Sequence, residues 1–283
     1  MNKILIAAAF GLLLLAACQK EIDWGTNAGA TPDRLYRTRS QTGTDTSQTD
    51  YSYDANGRLV RIKTAGMSGG QDLSNELTIT RDAAGIILST TQKAAALLMA
   101  GIDSLVIRYN YNTATTRYTS SVFNLNIPGF NVKDSTLYSY DAAGRISKDE
   151  HYLQVSGLPI PLPPILALRN TYYYSSSGAN IDSVLRETTA NPGDPLTPTA
   201  SQSYTYDTKV NPLILTKEAV LLNQVDLYNA NNPTRSRTRT FTGPGADVVT
   251  DYTYRYNAIN KPDSSYGIPT PGGDTTRTKF FYQ

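Results

Sequence analysis

His151 and Cys18 are the single histidine and the single cysteine of the 283-residue chain, so the stock of side chains able to do chemistry is small. His151 follows Asp149 and Glu150, but no serine or cysteine setting nearby suggests a nucleophile with its base and orienting acid. One imidazole cannot assemble a zinc or haem site of the usual kind, so neither metal nor cofactor is expected. Asp54-Ala55-Asn56-Gly57 begins like a calcium loop, yet the later ligands and the closing glutamate are missing, and the segment reads as a turn. A glycosidase needs two carboxylates, distant in sequence, and nothing singles out any of the 24 acids. Asp149 and Glu150, being adjacent, should point to opposite faces of a strand. Arg235, Arg237 and Arg239 alternate with Ser236 and Thr238, so a strand would place all three on one face, where an anionic glycan or a partner could use them. With 26 basic against 24 acidic residues, the charge balance supplies no means of holding nucleic acid.

The amino terminus reads as an address. Lys3 precedes an apolar run from Ile4 to Leu15, too short to span a bilayer in a mature protein but suited to a signal peptide. It ends in Leu15-Ala16-Ala17-Cys18, which resembles the bacterial lipoprotein box. That resemblance implies a signal peptide over residues 1–17 and a lipid on Cys18, leaving a mature chain without thiols. Such an exported domain must rest on its core and hydrogen bonds rather than on disulfides. Gln19-Lys20-Glu21, with Asp23, resembles the export tag of surface lipoproteins in Bacteroidota. It implies an outer-membrane, lipid-anchored protein, surface-exposed rather than periplasm-facing. Residues 18–48 are expected to hold the lipidated cysteine and a flexible tether, since residues 25–48 are rich in Gly, Thr, Ser, Asp and Gln.

From residue 49 one pattern recurs: aromatic, any residue, aromatic, Asp or Asn, turn, new strand. Tyr51-Ser52-Tyr53-Asp54-Ala55-Asn56-Gly57-Arg58-Leu59 and Tyr138-Ser139-Tyr140-Asp141-Ala142-Ala143-Gly144-Arg145-Ile146 are full copies. Turn-opening positions fall at 54, 82, 112, 141, 175, 207, 229 and 257, a near-constant period that predicts one repeat domain over residues 49–283. Each unit reads as a β-hairpin. Asp54, Asp82, Asp141, Asp207 and Asn257 would accept backbone N–H bonds in the turns. Gly57, Gly85 and Gly144 would supply the left-handed residue. Tyr53 should lie beside Leu59 and Tyr140 beside Ile146. The tyrosines 53, 111, 140, 174, 206, 228 and 256 share one unit position and are expected to form a buried row, the alternative being an exposed platform for sugars. One helical stretch is expected, about two turns over Ala94 to Ala100.

The two full motifs resemble the tyrosine–aspartate repeats of bacterial Rhs and toxin-shell proteins, whose hairpins coil a strip of sheet into a hollow shell. With the lipoprotein box in front, the chain resembles Bacteroidota outer-membrane lipoproteins of unknown function. The expected fold is all-β: repeated antiparallel β-hairpins forming one large curled sheet, barrel-like or half-shell. Two apolar tips, Asn124 to Val132 with Ile127 and Phe130, and Leu158 to Leu168 with Ile160 and Leu162, are expected to plug the open end of the sheet. Alternatively they form a patch for a partner. Prolines 159, 161, 163 and 164 exclude a ladder-bonded central strand there. A hairpin centred near Gly245 would set Arg239 opposite Asp251 and leave Arg235 and Arg237 available.

A transmembrane porin would need apolar residues alternating over ~9–11 positions in strand after strand, whereas these strands carry Tyr, Thr, Ser and charge. The function expected is therefore that of a lipid-anchored envelope protein that binds a glycan or another envelope or surface protein, or serves a structural role. It would touch the membrane through its lipid alone. The alternative is an envelope hydrolase acting on polysaccharide through two carboxylates.

Overall fold

The computed structural model describes residues 34–127, 129–157, 163–213, 217–222, 228–242 and 247–283. The expected signal peptide over residues 1–17, Cys18 and the first part of the expected tether lie outside them. The strands are β1 (Leu35–Thr42), β2 (Asp45–Tyr53), β3 (Leu59–Ser68), β4 (Gln71–Asp72), β5 (Asn75–Arg81) and β6 (Ile87–Ala94). Then come β7 (Leu105–Asn112), β8 (Arg117–Ile127), β9 (Phe130–Tyr140), β10 (Ile146–Ser156), β11 (Ile165–Tyr174) and β12 (Ile181–Thr188). The last are β13 (Thr197–Val210), β14 (Asn231–Thr240), β15 (Asp247–Tyr256), β16 (Pro262–Thr270) and β17 (Thr276–Tyr282). A short helix, Ala95–Met99, occupies the expected apolar run.

Apart from the two-residue β4, each strand pairs antiparallel with its chain neighbours, and β17 pairs with β1, so sixteen strands close into an up-and-down barrel. Closure satisfies every edge, the hazard an open array would carry. The domain starts earlier than the expected boundary at residue 49. Leu35–Thr42 and Asp45–Tyr53 are barrel strands, with Arg37 opposite Asp50 and Thr38 opposite both Thr49 and Phe280. Their Thr, Ser and Gln content reads as a linker, yet in alternation these residues suit a strand whose inner neighbours are also threonines: Thr42 and Thr276 hydroxyls lie 2.8 Å apart.

The repeated motif builds one rim. The Asp54 N–H donates to the Arg58 carbonyl at 2.9 Å, and the Gly57 N–H to the Asp54 carbonyl at 2.9 Å. The Asp54 carboxylate accepts the N–H groups of Asn56 (2.9 Å) and Arg58 (2.8 Å). Asp141 repeats this with Ala143 and Arg145, and Asp82 accepts the Ile86 N–H. The turns set Tyr53 opposite Leu59 and Tyr140 opposite Ile146. Gly57 and Gly144 have φ of +77° and +78°. Gly57→Val and Gly144→Val should each lower stability by roughly 1–3 kcal/mol through backbone strain, read as the midpoint of denaturant unfolding.

A sixteen-stranded barrel is wide enough to leave a channel, but here the connection between β13 and β14 turns inward. Leu213 and Ala219 are 0% exposed, and with Val220, Leu221 and Leu222 they pack against the inward side chains Tyr51, Ile79, Tyr109 and Tyr252. Burying each large apolar side chain is worth about 1.5–3 kcal/mol, enough in sum to hold this connection inside. Polar contacts fix its path. The inward Tyr109 hydroxyl donates to the Leu221 carbonyl at 3.0 Å. Glu218 accepts from Arg81 at 2.8 Å and from the Tyr118 hydroxyl at 3.0 Å. The repeat positions at Asp207 and Asn229 are therefore no hairpin turn. Asp207 sits inside β13 and accepts the N–H groups of Lys209 (2.9 Å) and Asn232 (3.1 Å) as the chain departs. Asn229, fully buried, accepts the Ile181 N–H at 2.8 Å as it returns.

Candidate functional surfaces

The tyrosine row lies along the motif rim and is half-buried, with Tyr53, Tyr111, Tyr140, Tyr174 and Tyr228 packed against the core. Four of its hydroxyls latch a strand to the first or second residue of the preceding strand. Tyr53 donates to the Leu35 carbonyl at 2.9 Å, Tyr140 to Tyr118 at 2.7 Å, Tyr174 to Ile146 at 2.6 Å and Tyr206 to Ile181 at 2.6 Å. Tyr282 donates to Pro262 at 2.7 Å, which makes Phe280-Phe281-Tyr282 a further copy that its Phe conceals in the sequence. Arginines from the preceding turn or strand start cover the rings: Arg117 over Tyr140 at 4.9 Å and Arg145 over Tyr174 at 4.3 Å. A Cβ at Gly178 or Gly85 would fall 2.1 Å from Arg145 or 1.8 Å from Arg58, so these glycines also make room for the neighbouring unit's arginine. The row is a fastening, not a sugar platform.

The described carboxylates that converge lie on the inner wall. Asp149 and Glu150 do point to opposite faces: Glu150 meets Arg169 outside at 2.8 Å, while Asp149 is 2% exposed. Asp149 accepts from His151 Nε2 at 3.1 Å, Asn170 Nδ2 at 2.9 Å and the Tyr172 hydroxyl at 2.5 Å. His151 Nδ1 lies 3.2 Å from Asp134, itself 0% exposed, and the Thr136 hydroxyl donates to the same carboxylate at 3.1 Å. Arg186 Nε donates to Asn170 Oδ1 at 3.1 Å. A polar chain thus crosses β9, β10, β11 and β12. Burial favours a neutral His151, but the hydrogen bonds to Asp134 and Asp149 outweigh it and lift the pKa to about 10. Burial would likewise raise Asp149, yet the bonds from His151, Tyr172 and Asn170 hold it below its ordinary value. An imidazolium held between two carboxylates ties strands together, and the neighbouring Thr136 hydroxyl, 3.2 Å from His151 Nδ1, is itself bonded to Asp134. Asp134 and Asp149 do face one another, but His151 fills the gap where a sugar would sit.

This network makes stability pH-dependent. The His151 pKa is raised from 6.5 to about 10, so its contribution is complete below about 6.5 and is lost as pH rises through 10. Asp149 has the opposite sense: its contribution is present above the ordinary value of 3.8 and is lost as pH falls through its lower folded value. Thermal midpoints should fall between about pH 6.5 and 10, and His151→Gln should remove that alkaline step.

The arginine row departs from expectation. Arg235 lies opposite Asp251, and Arg239 opposite Asp247, because the strands pair about residue 243 rather than 245. The shift of four in partner number keeps every side chain on its expected face but exchanges the pairs. Arg235 Nε is 3.0 Å from Asp251, Arg237 bonds Asp247, and Arg239 lies 3.8 Å from Asp247 and over the Phe241 ring. Arg235 and Arg237 are therefore committed to ion pairs beside a shallow groove that Ser203, Thr205 and Val249 also line. Of the apolar tips, Ile127 pairs with Phe130 at the end of the β8–β9 hairpin, and Val132 packs with Leu153 and Ala167. Ile160 and Leu162 lie outside the described residues. Among the described residues, the apolar side chains that fill the barrel are those of Leu213 and of Ala219 to Leu222, a run too short for any periodicity to betray.

The outward face carries ion pairs on several strands, alongside the exposed apolar side chains of Leu88, Leu137, Tyr173 and Ile268. Arg61 meets Glu76 at 2.8 Å, Arg37 meets Asp50 at 2.5 Å, and Arg169 lies between Glu150 and Glu187. A lipid-facing Arg or Lys costs about 2–4 kcal/mol at the bilayer midplane, so each of these positions is disfavoured against lipid.

Two solved structures share the fold. A porin-like protein from Bacteroides vulgatus is 12% identical, with a TM-score of 0.54 over 89% of this chain and 99% of that one. A porin-like protein from Bacteroides uniformis is 12% identical, with a TM-score of 0.53 over 91% of this chain and 100% of that one. No family model matches the chain. No curated protein matches it either. At this identity the likeness shows the barrel architecture.

Proposed function

We propose that the chain is a cell-envelope protein of the Bacteroidota type, held at the outer membrane by a lipid on Cys18, whose water-facing, plugged barrel is a binding scaffold and not a pore. The observation that carries this reading is the outer wall, where Arg37, Arg61, Arg169 and Arg235 are met across strands by carboxylates. The plugged lumen supports it, as does the shared architecture with porin-like Bacteroides proteins. The partner is a glycan or another envelope or surface protein. The hydrolase alternative gains no support, since the facing carboxylates Asp134 and Asp149 are closed off by His151.

Fractionation tests the anchor. The wild-type chain should require detergent for extraction and carry an acylated Cys18 at its mature amino terminus. Cys18→Ala should leave the unprocessed precursor. A wild-type mature terminus without lipid would overturn the anchoring.

A further inference from the structure

On most of the outer wall a basic side chain faces an acid across the strand pair or stands singly, as Arg108 does between Ser89 and Val122 and Lys133 between Asn124 and Gln154. The strip formed by β1, β17, β16 and β15 breaks that rule. Arg39 lies opposite Gln48 on one side and Lys279 on the other. Lys279 lies opposite Ser264, and Ser264 opposite Arg255. In the adjacent outward row, Gln41 faces Arg277, Arg277 faces Tyr266, and Tyr266 faces Thr253. Arg39, Arg255, Arg277 and Lys279 are all exposed, and among the described residues none is ion-paired. Aromatic rings are interleaved with them. Arg39 and Lys279 lie 5.5 and 5.6 Å from the Phe281 ring, and Arg277 lies 5.7 Å from that of Tyr266. Asp263, exposed at the bulge next to Ser264, pairs with none of the four.

We propose that this strip binds a linear acidic polysaccharide, its cations meeting uronate carboxylates while Tyr266, Phe281 and the neighbouring amide and hydroxyl groups meet the sugar rings. Arg39, Lys279 and Arg255 lie in one row across four strands, about 14 Å at ~4.8 Å per strand spacing, so the row can follow an extended chain. Arginine guanidinium matches a carboxylate with two parallel hydrogen bonds. Like charges gathered without acids repel one another in the free protein, and an anionic chain relieves that repulsion. Aromatic faces beside the cations favour a sugar over a bare polyanion. The inference deepens the binding role proposed above and rests on the strip facing water.

The test uses the full chain in detergent with polygalacturonate as probe, and dextran, polyphosphate and phosphatidylglycerol vesicles as comparisons. Polygalacturonate should bind, and binding should weaken with salt. Arg39→Gln/Arg277→Gln/Lys279→Gln should lower affinity by about tenfold or more, while the Arg108→Gln/Lys133→Gln control, which removes isolated outward charges, stays within about twofold. Tyr266→Leu should weaken polygalacturonate binding and leave polyphosphate binding unchanged. Unaltered thermal midpoints will show that the variants are folded. Absent binding by the wild type, equal losses in the triple variant and the control, equal retention of dextran, indifference to Tyr266→Leu, or preference for the vesicles would each overturn the proposal. A failure here with the wall still accessible to water would refute the glycan site alone; a wall protected by lipid would refute the reading beneath it.

Discussion

Asp149→Ala is expected to destabilise the barrel by about 3–5 kcal/mol, the cost of leaving a buried ion network without one partner. Three donors lose their acceptor at once: His151 at 3.1 Å, Asn170 at 2.9 Å and Tyr172 at 2.5 Å. No water can readily replace the carboxylate, because the side chains around it are buried. For a domain of this size each kcal/mol moves the thermal midpoint by about 2–4 °C, so a fall of roughly 6–20 °C is expected. Asp263→Ala, at an exposed position, should stay within ~0.5 kcal/mol. A neutral Asp149→Ala would mean that the carboxylate is held open for a ligand instead of binding strands together.

Val220→Asp is the second large effect. Val220 is 2% exposed within the inner cluster, where an unpaired carboxylate would lose its hydration. The inward connection should then leave the lumen, at a cost of about 3 kcal/mol from the lost apolar burial of its leucines. Limited proteolysis should cut between residues 217 and 222 in the variant and spare those bonds in the wild type. The contrast is informative because Arg81, with a side chain 10% exposed, loses Glu218 if the connection moves. Unchanged cleavage and an unchanged midpoint in Val220→Asp would contradict the plugged lumen.

The fold was legible where the chain repeats itself. Tyr53-Asp54-Ala55-Asn56-Gly57-Arg58 contains its own instructions: an acceptor for two N–H groups, a glycine for positive φ, and a tyrosine whose partner register follows from the turn. Those are local interactions, so local sequence encodes them. Closure was less legible, because Thr38 and Phe280 meet only after the whole ring has formed. The strands at 35–48 hide among Thr, Ser and Gln, whose inner partners are equally polar. Asp207 kept the motif's opening residues and its bond to the N–H two residues on, yet its carboxylate also serves Asn232 and Tyr256 and no hairpin follows, a choice fixed by distant chain. His151 illustrates the same limit. Asp149 at two residues' distance was visible, but Asp134, Asn170 and Tyr172 arrive from other strands. The exchange of arginine partners came from a pairing centre at residue 243 instead of 245, both within the Gly-Pro-Gly signal, which fixes where the chain bends but not how many residues bridge the strands.

The central claim, a barrel whose wall faces water all the way round, is tested most directly by thiol labelling. Cys18 is the single cysteine of the chain, so single substitutions at outward serines report without background once it is lipidated. Ser52→Cys, Ser89→Cys, Ser135→Cys, Ser203→Cys and Ser264→Cys sample β2, β6, β9, β13 and β16 around the ring. In isolated membranes all five should react with a charged, membrane-impermeant maleimide as fast as they do after detergent extraction. Protection of these positions in membranes that is lost on extraction would mean a lipid-facing belt, and would contradict the account.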